Sequence, residues 1–360
     1  MSKNRKIIYS FIGILLIFVF CLNLNNTNGI NIKRSMATQC INIANNLQSK
    51  NLFKISNYFY SISQNLYSKT QWIDYNIAKN IRSEYWNKPL TERKKEKLQI
   101  ALKHLDIENV KHQNNVIILS EYAYTYDQLE EFDKAIEYYE KITKIDSKWE
   151  YGLQRLSHLY CNIKFDYPKA LDYINRKMEL NIDKGYYGDY FGKAYILQQM
   201  ENYNEAIKYY KKYIENNKTH VAGFVNIAIC ELELGKYDDA EKYVNEGLKY
   251  APNFSYLINS KIRILKYKHK FDEAQRSANE LIERDKYDYA AYLQLAEIYR
   301  YQNNKIKSEE YYNMARDNAK EFYDAFCENP YDIGDLDGHC GNRYKFLKDF
   351  EKEKSKPLEF

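Results

Sequence analysis

From residue 116 onward, apolar residues recur at i, i+4 and i+7 in segments about three turns long, parted by short polar breaks. That spacing places the apolar side chains on one helical face. In every second segment an aromatic residue precedes a small one by three places: Phe132 and Ala135, Tyr167 and Ala170, Tyr203 and Ala206, Tyr237 and Ala240, Phe271 and Ala274. These pairs recur at intervals of 34 to 36 residues, and Ser308 continues the series with Ile306 near the aromatic place.

The intervening segments carry their own marks. Each opens on a large apolar residue: Leu119, Leu153, Tyr190, Phe224, Ile258 or Tyr292. Four places on comes Ala123, Ser157, Ala194, Ala228 or Ala296, with Ile262 as the exception. Three further lies Tyr126, Tyr160, Leu197, Leu265 or Tyr299, with Glu231 as the exception. The small residues predict a close crossing of paired helices, and Tyr139, Ile174, Tyr210, Val244, Ala278 and Tyr312 extend the buried face of the second helix. Self-similarity at this period predicts a solenoid of helix–turn–helix units. Gly 12 and Pro 5 are too scarce to punctuate a sheet protein.

These residues resemble the tetratricopeptide repeat (TPR) family. The stretch 221–254 carries the pattern most fully, with Phe224, Ile227, Ala228, Gly235, Tyr237, Ala240 and Pro252. The resemblance implies an all-α TPR superhelical solenoid with six clear units between 116 and 322. The unit 150–186 carries insertions. Residues 31–115 read as a divergent helical segment, with a degenerate repeat at 82–115 marked by Ala101 and Leu105. Residues 323–360 read as a cap and basic tail.

The first thirty residues differ in kind. Lys3, Arg5 and Lys6 precede the uncharged apolar run 7–22, which Leu24 extends, and no charge follows until Lys33. Two readings stay open. A signal anchor would span a membrane through residues 7–24, and the length of the run favours this. A signal peptide would instead be cut near Gly29 and release a secreted protein. On either reading the basic cluster stays cytoplasmic and the repeats lie outside, in a periplasm or at the cell exterior.

Composition narrows the chemistry further. Lys and Arg number 54 against 49 acidic residues, a net charge of +5 spread over a mixed surface. No basic stripe with interleaved aromatics points to nucleic acid. The 38 tyrosines suit repeat positions more readily than a binding surface. No HExxH, GxSxG, Walker A or GxGxxG motif occurs, so the expectation is a binding protein rather than an enzyme, with no cofactor. The loop between Cys327 and Cys340 holds Asp332, Asp335, Asp337 and His339, but an EF-hand register puts Ile333 first and Tyr344 last, so no metal site is expected. In an oxidising compartment Cys327 and Cys340 could pair, which a loop of this size would reward by roughly 3 kcal/mol.

By resemblance, the second, fifth, ninth and twelfth places of each unit line a peptide groove. Here they give Tyr124, Gln154, His158, Phe191, Tyr195, Val225, Asn259, Arg263, Lys266, Glu297 and Arg300. The early places are aromatic and neutral, and the late ones polar and net positive. That chemistry suits an extended or helical protein segment with apolar anchors and an acidic end. The Lys–Asn pairs with which chaperone-binding TPR domains clamp a terminal carboxylate are missing at Ser120, Tyr124, Gln154, His158, Phe191 and Tyr195. The repeat assignment itself predicts that Ala240→Trp overpacks a helix crossing at a cost of ~1–3 kcal/mol. Thermal denaturation checks this, and an unchanged midpoint would count against the assignment.

Overall fold

The computed structural model describes residues 27–68, 72–86, 88–180, 187–216, 218–326, 346–352 and 354. Among these described residues every regular element is an α-helix. The chain divides into two compact units, Met1–Leu159 and Tyr160–Phe360. The first contains α1 (Thr27–Ser49), α2 (Phe53–Leu66), α3 (Ile73–Glu84), α4 (Glu92–Lys111), α5 (Val116–Gln128) and α6 (Phe132–Ile145), and most of α7 (Glu150–Asn162). The second contains α8 (Tyr167–Leu180), α9 (Tyr187–Gln199), α10 (Tyr203–Asn216), α11 (Ala222–Glu233) and α12 (Tyr237–Tyr250). It continues through α13 (Ser255–Tyr267), α14 (Phe271–Arg284), α15 (Tyr289–Tyr301) and α16 (Lys305–Phe326).

The aromatic residue of each aromatic-x-x-Ala pair is the first residue of a helix: Phe132, Tyr167, Tyr203, Tyr237 and Phe271. The alanine one turn later is fully buried in every case, and Ser308 nearly so. Small side chains, alanine or serine, stand where the paired helices touch. Tyr139, Tyr210 and Val244 lie four places on and are also fully buried, filling the space beside that contact.

The turns before these helices share a left-handed residue. Glu130, Phe165, Glu201, Gly235, His269 and Asn303 all lie in the left-handed region, with φ between 54° and 70°. The next residue's N–H donates back five places to the carbonyl of Tyr126, Leu197, Glu231, Leu265 or Tyr299 at 2.8–3.0 Å, whereas the Asp166 N–H reaches six places back to Tyr160 at 2.9 Å, over one inserted residue. The five-place contact is the six-to-one bond of a Schellman motif, which satisfies a carbonyl left over at the helix end. Glu231 breaks the apolar pattern but supplies its carbonyl like the others.

The same turn identifies a hairpin that the sequence pattern hides. Asn51 is left-handed at φ 58°, and the Leu52 N–H donates to the Leu47 carbonyl at 2.9 Å. Phe53 opens α2, and Ser56 is fully buried in the alanine place. Ser56 Oγ donates to the Ala44 carbonyl at 2.9 Å, and Ser63 Oγ to the Ala37 carbonyl at 3.0 Å. The inverse order of these bonds makes α1 and α2 antiparallel. They pack closely because Ala37, Cys40 and Ala44 are small.

Before residue 116, α3 and α4 form a further hairpin from Ile73 to Lys111. Ala101 and Leu105 are fully buried on α4. The Thr91 hydroxyl caps α4 by accepting from the Lys94 N–H at 3.2 Å. At the other end, Phe346 and Phe350 are buried against the Ala315 and Ala319 face of α16.

The turns yield a paired prediction. A Cβ added at Gly235 would meet open space, so Gly235→Ala costs only left-handed strain, ~1 kcal/mol. Glu201→Gly at the equivalent place relieves strain and stabilises by a few tenths to ~1 kcal/mol. Urea unfolding of the two variants should move in opposite directions.

Candidate binding groove

In the first unit, side chains of successive first helices α3, α5 and α7 are tied across the repeat boundaries. Arg82 of α3 donates to both oxygens of Glu121 on α5, at 2.6 and 3.1 Å. Its guanidinium lies 5.0 Å from the Tyr124 ring centre and 5.7 Å from that of Trp86. Arg155 of α7 grips Asp127 of α5 through two bonds, at 2.6 and 2.7 Å. Such forked pairs fix both direction and distance.

Aromatic rings fill the surface between these bridges. Tyr124 meets Tyr151 edge-on at 5.2 Å and lies 6.4 Å from Trp149. Trp149 covers Gly152, where any Cβ would run into the indole, so glycine is required there. Beneath them Tyr139 donates its hydroxyl to Asp127 at 3.1 Å. Burial, with the charges of Tyr151 and Glu121, pushes Tyr124 up to about 12. Burial and Asp127 push Tyr139 higher still. Both hydroxyls therefore stay protonated at neutral pH, and that of Tyr139 is held as a donor to Asp127. Tyr151, Trp86 and Ile117 remain about half exposed. Gln154 is exposed on the same helix as Tyr151.

His158 is exposed at the next turn of α7 and takes a hydrogen bond from Arg155 Nη1 at Nδ1, 3.1 Å away. Desolvation by its surroundings, followed by the Arg155 charge, pushes it down to about 4.

In the second unit the expected groove residues are placed differently from one another. Val225 is buried in the core. Phe191 packs on Tyr210 and Tyr213, with ring centres 5.5 and 5.0 Å away, so it serves the core as much as a surface. Tyr195 is half-buried, and burial raises its hydroxyl. Asn259 donates to Asp288 at 3.1 Å. Arg263 reaches Glu233 of the preceding first helix at 3.0 Å, and Lys266 pairs with Glu297 of the following one. Arg300 donates to the Lys354 carbonyl at 3.3 Å and lies 3.5 Å from the Tyr312 hydroxyl. The positive end expected of the groove is thus answered largely from within the array.

Many tyrosines serve the repeats. Tyr126 stacks on Tyr138 at 5.6 Å under Lys134, Tyr160 on Tyr173 at 5.7 Å under Lys169, and Tyr299 on Tyr311 at 5.3 Å under Lys307. Each lysine precedes the small-residue place and each second tyrosine follows it by three. The signal Lys-(Ala/Ser)-x-x-Tyr was there to be read, but its partner lies on the preceding helix.

Cys40, Cys161 and Cys230 are buried thiols, and burial raises Cys161 to about 11 and Cys230 to about 12. Among the described residues no cluster of potential metal ligands occurs, and no helix is long and apolar enough to cross a membrane. The apolar run 7–24 and the pair Cys327 and Cys340 lie outside the described residues.

Family models of the tetratricopeptide repeat match residues 118–148, 197–259 and 260–321, so the chain carries repeats of this kind. No curated protein matches the chain. Among solved structures, a tetratricopeptide repeat protein from Parabacteroides merdae is similar at 16% identity and TM-score 0.47, covering 69% of this chain and 92% of that one. YrrB, described as a TPR protein with an unusual peptide-binding site, is similar at 19% identity and TM-score 0.38, covering 51% and 93%. PilW, a type IV pilus biogenesis factor, is similar at 13% identity and TM-score 0.42, covering 72% and 96%. All three TM-scores are below 0.5, so the repeat assignment rests on the family matches and the hairpin geometry.

The His158 environment predicts a neutral imidazole throughout the physiological range. Its signals in a histidine NMR titration should stay unchanged from pH 8 to pH 5. The unfolded chain takes up a proton near pH 6.5 and the folded chain only near 4. Stability therefore falls as pH drops through that window, and His158→Gln should reduce the slope.

Proposed function

We propose that this chain is a protein-interaction scaffold that receives an extended or helical peptide segment along its first helices. The observation that carries this reading is the aromatic strip of Tyr124, Trp149 and Tyr151 in the first unit. It combines half-exposed rings with a fixed frame of Arg82–Glu121 and Arg155–Asp127 pairs. Rigid aromatic anchors contribute contact area at low entropic cost, which suits binding better than catalysis. The ligand has apolar anchors and an acidic end, and no cofactor takes part.

The scaffold works outside the cytoplasm, held by residues 7–24 as a single-pass anchor. Support for this comes from the basic cluster before the apolar run and the charge-free stretch after it. Release after cleavage near Gly29 would make it a secreted binding protein instead.

Two measurements test the reading. External protease on cells with a permeabilised outer layer should digest a C-terminal tag while a cytosolic control survives. Protection of the tag would overturn the topology, and a product shortened by residues 1–29 would favour the secreted form. A photo-crosslinking residue at Gln154 should give a discrete adduct in cells that is absent when placed at Lys141 on α6. Equal adducts at both positions would remove the groove.

A further inference from the structure

We propose that a pocket between the first hairpin and α3 receives the carboxylates of an acidic peptide whose apolar side chains lie on the Tyr124–Tyr151 strip. The inference rests on the peptide-groove reading and assigns the acidic end to a place that the repeat pattern did not mark.

The pocket has a volume of about 780 Å³ and is lined by Gln48, Lys79, Arg82, Trp86 and Lys88 among others. A volume of this order is typical of ligand sites. Its wall is held in place from behind. Gln48 donates to Asn80 Oδ1 at 2.6 Å, and fully buried Asn80 donates to Ser56 Oγ at 3.0 Å and Asn57 Oδ1 at 2.6 Å. This amide network consumes its own hydrogen bonds and fixes the wall against α1 and α2.

Charge decides the occupant. Arg82 is answered by Glu121, and Glu84 by Lys54 at 3.4 Å. Lys79 and Lys88 face rings instead: the Lys79 ammonium lies 5.9 Å from the Tyr75 ring centre and that of Lys88 4.4 Å from Tyr85. Among the described residues neither has a carboxylate partner, whereas Arg155, Arg263 and Lys266 each have one. Two uncompensated ammonium groups therefore converge on one concave site. Trp86, 51% exposed, stands at the same site. Arg82 joins it to the aromatic strip, since its guanidinium lies near both the Trp86 and Tyr124 rings. A peptide along the strip thus reaches the pocket without a break, and a run of carboxylates at its end meets the two lysines. The mixed net charge of +5 over the whole chain argues against a polyanion such as nucleic acid.

Fluorescence anisotropy with the full chain tests this, using fluorescein-labelled LFGLEDE and its uncharged counterpart LFGLQNQ amide. The acidic peptide should bind about fivefold to tenfold more tightly. The double variant Lys79→Gln, Lys88→Gln should erase that preference while leaving LFGLQNQ binding and the melting temperature unchanged. Lys79→Glu with Lys88→Glu should favour LFGLKKK instead. Equal binding of both peptides by the wild type, or a preference that survives the glutamine variant, would overturn the pocket assignment alone. Failure of every peptide to bind would overturn the groove reading with it. Displacement by single-stranded DNA as readily as by LFGLEDE would make the site a general polyanion site and overturn the peptide assignment.

Discussion

The structure depends on one steric constraint, the contact of two helices over a side chain no larger than that of alanine or serine. Ala135, Ala170, Ala206, Ala240 and Ala274 stand at this contact, and all five are fully buried. That contact sets the rest of the hairpin. The residue four places on must fill the space beside the crossing, so it is Tyr139, Tyr210 or Val244 and is buried as well. The turn must reverse the chain sharply, so a left-handed residue stands two places before every second helix but α4. A hairpin built this way still exposes apolar surface on both sides and is stable only against its neighbours.

The pairing of first helices has a functional side. Arg82 with Glu121, Asp127 with Arg155, Glu233 with Arg263 and Lys266 with Glu297 all join adjacent repeats. The more exposed of these pairs, such as Arg263 with Glu233, add little stability each. Their larger effect is to settle what the surface can offer a ligand. Where every charge has a partner, recognition falls to aromatic rings and to the few cations left over. In the first unit these are the Tyr124–Tyr151 strip and the Lys79–Lys88 pocket, both resting on Arg82.

Much of this was legible in the sequence, for identifiable reasons. The aromatic-x-x-Ala spacing marks helix starts to the residue because the aromatic and the alanine answer the same crossing. Hairpin α1–α2 escaped because Ser56 and Ser63 stand in places where alanine was sought, and their hydroxyls find carbonyls across the hairpin that no local pattern reveals. The turns escaped because Glu130, Glu201 and His269 adopt a conformation usually marked by glycine. The site was only partly legible. Tyr124 and His158 could be placed by repeat position, but the partners of Arg263, Lys266 and Asn259 lie 29 to 31 residues away in sequence. Periodicity reports which face a residue occupies and is silent on which opposite charge shares it.

The buried tyrosines give the array a built-in optical reporter. Tyr139 and Tyr210 each lie inside one hairpin, donate to Asp127 and Gln198, and are held protonated far above the ordinary tyrosine range by burial. Above that ordinary value an opened hairpin ionises its tyrosine and a closed one does not, so alkali draws the array open. Ionisation of Tyr139 and Tyr210, over and above that of exposed tyrosines such as Tyr58 and Tyr250, then reports opened hairpins in place. A chain of similar units, whose local opening is usually invisible without isotopic exchange, here carries an indicator in the two hairpins whose crossings a tyrosine fills.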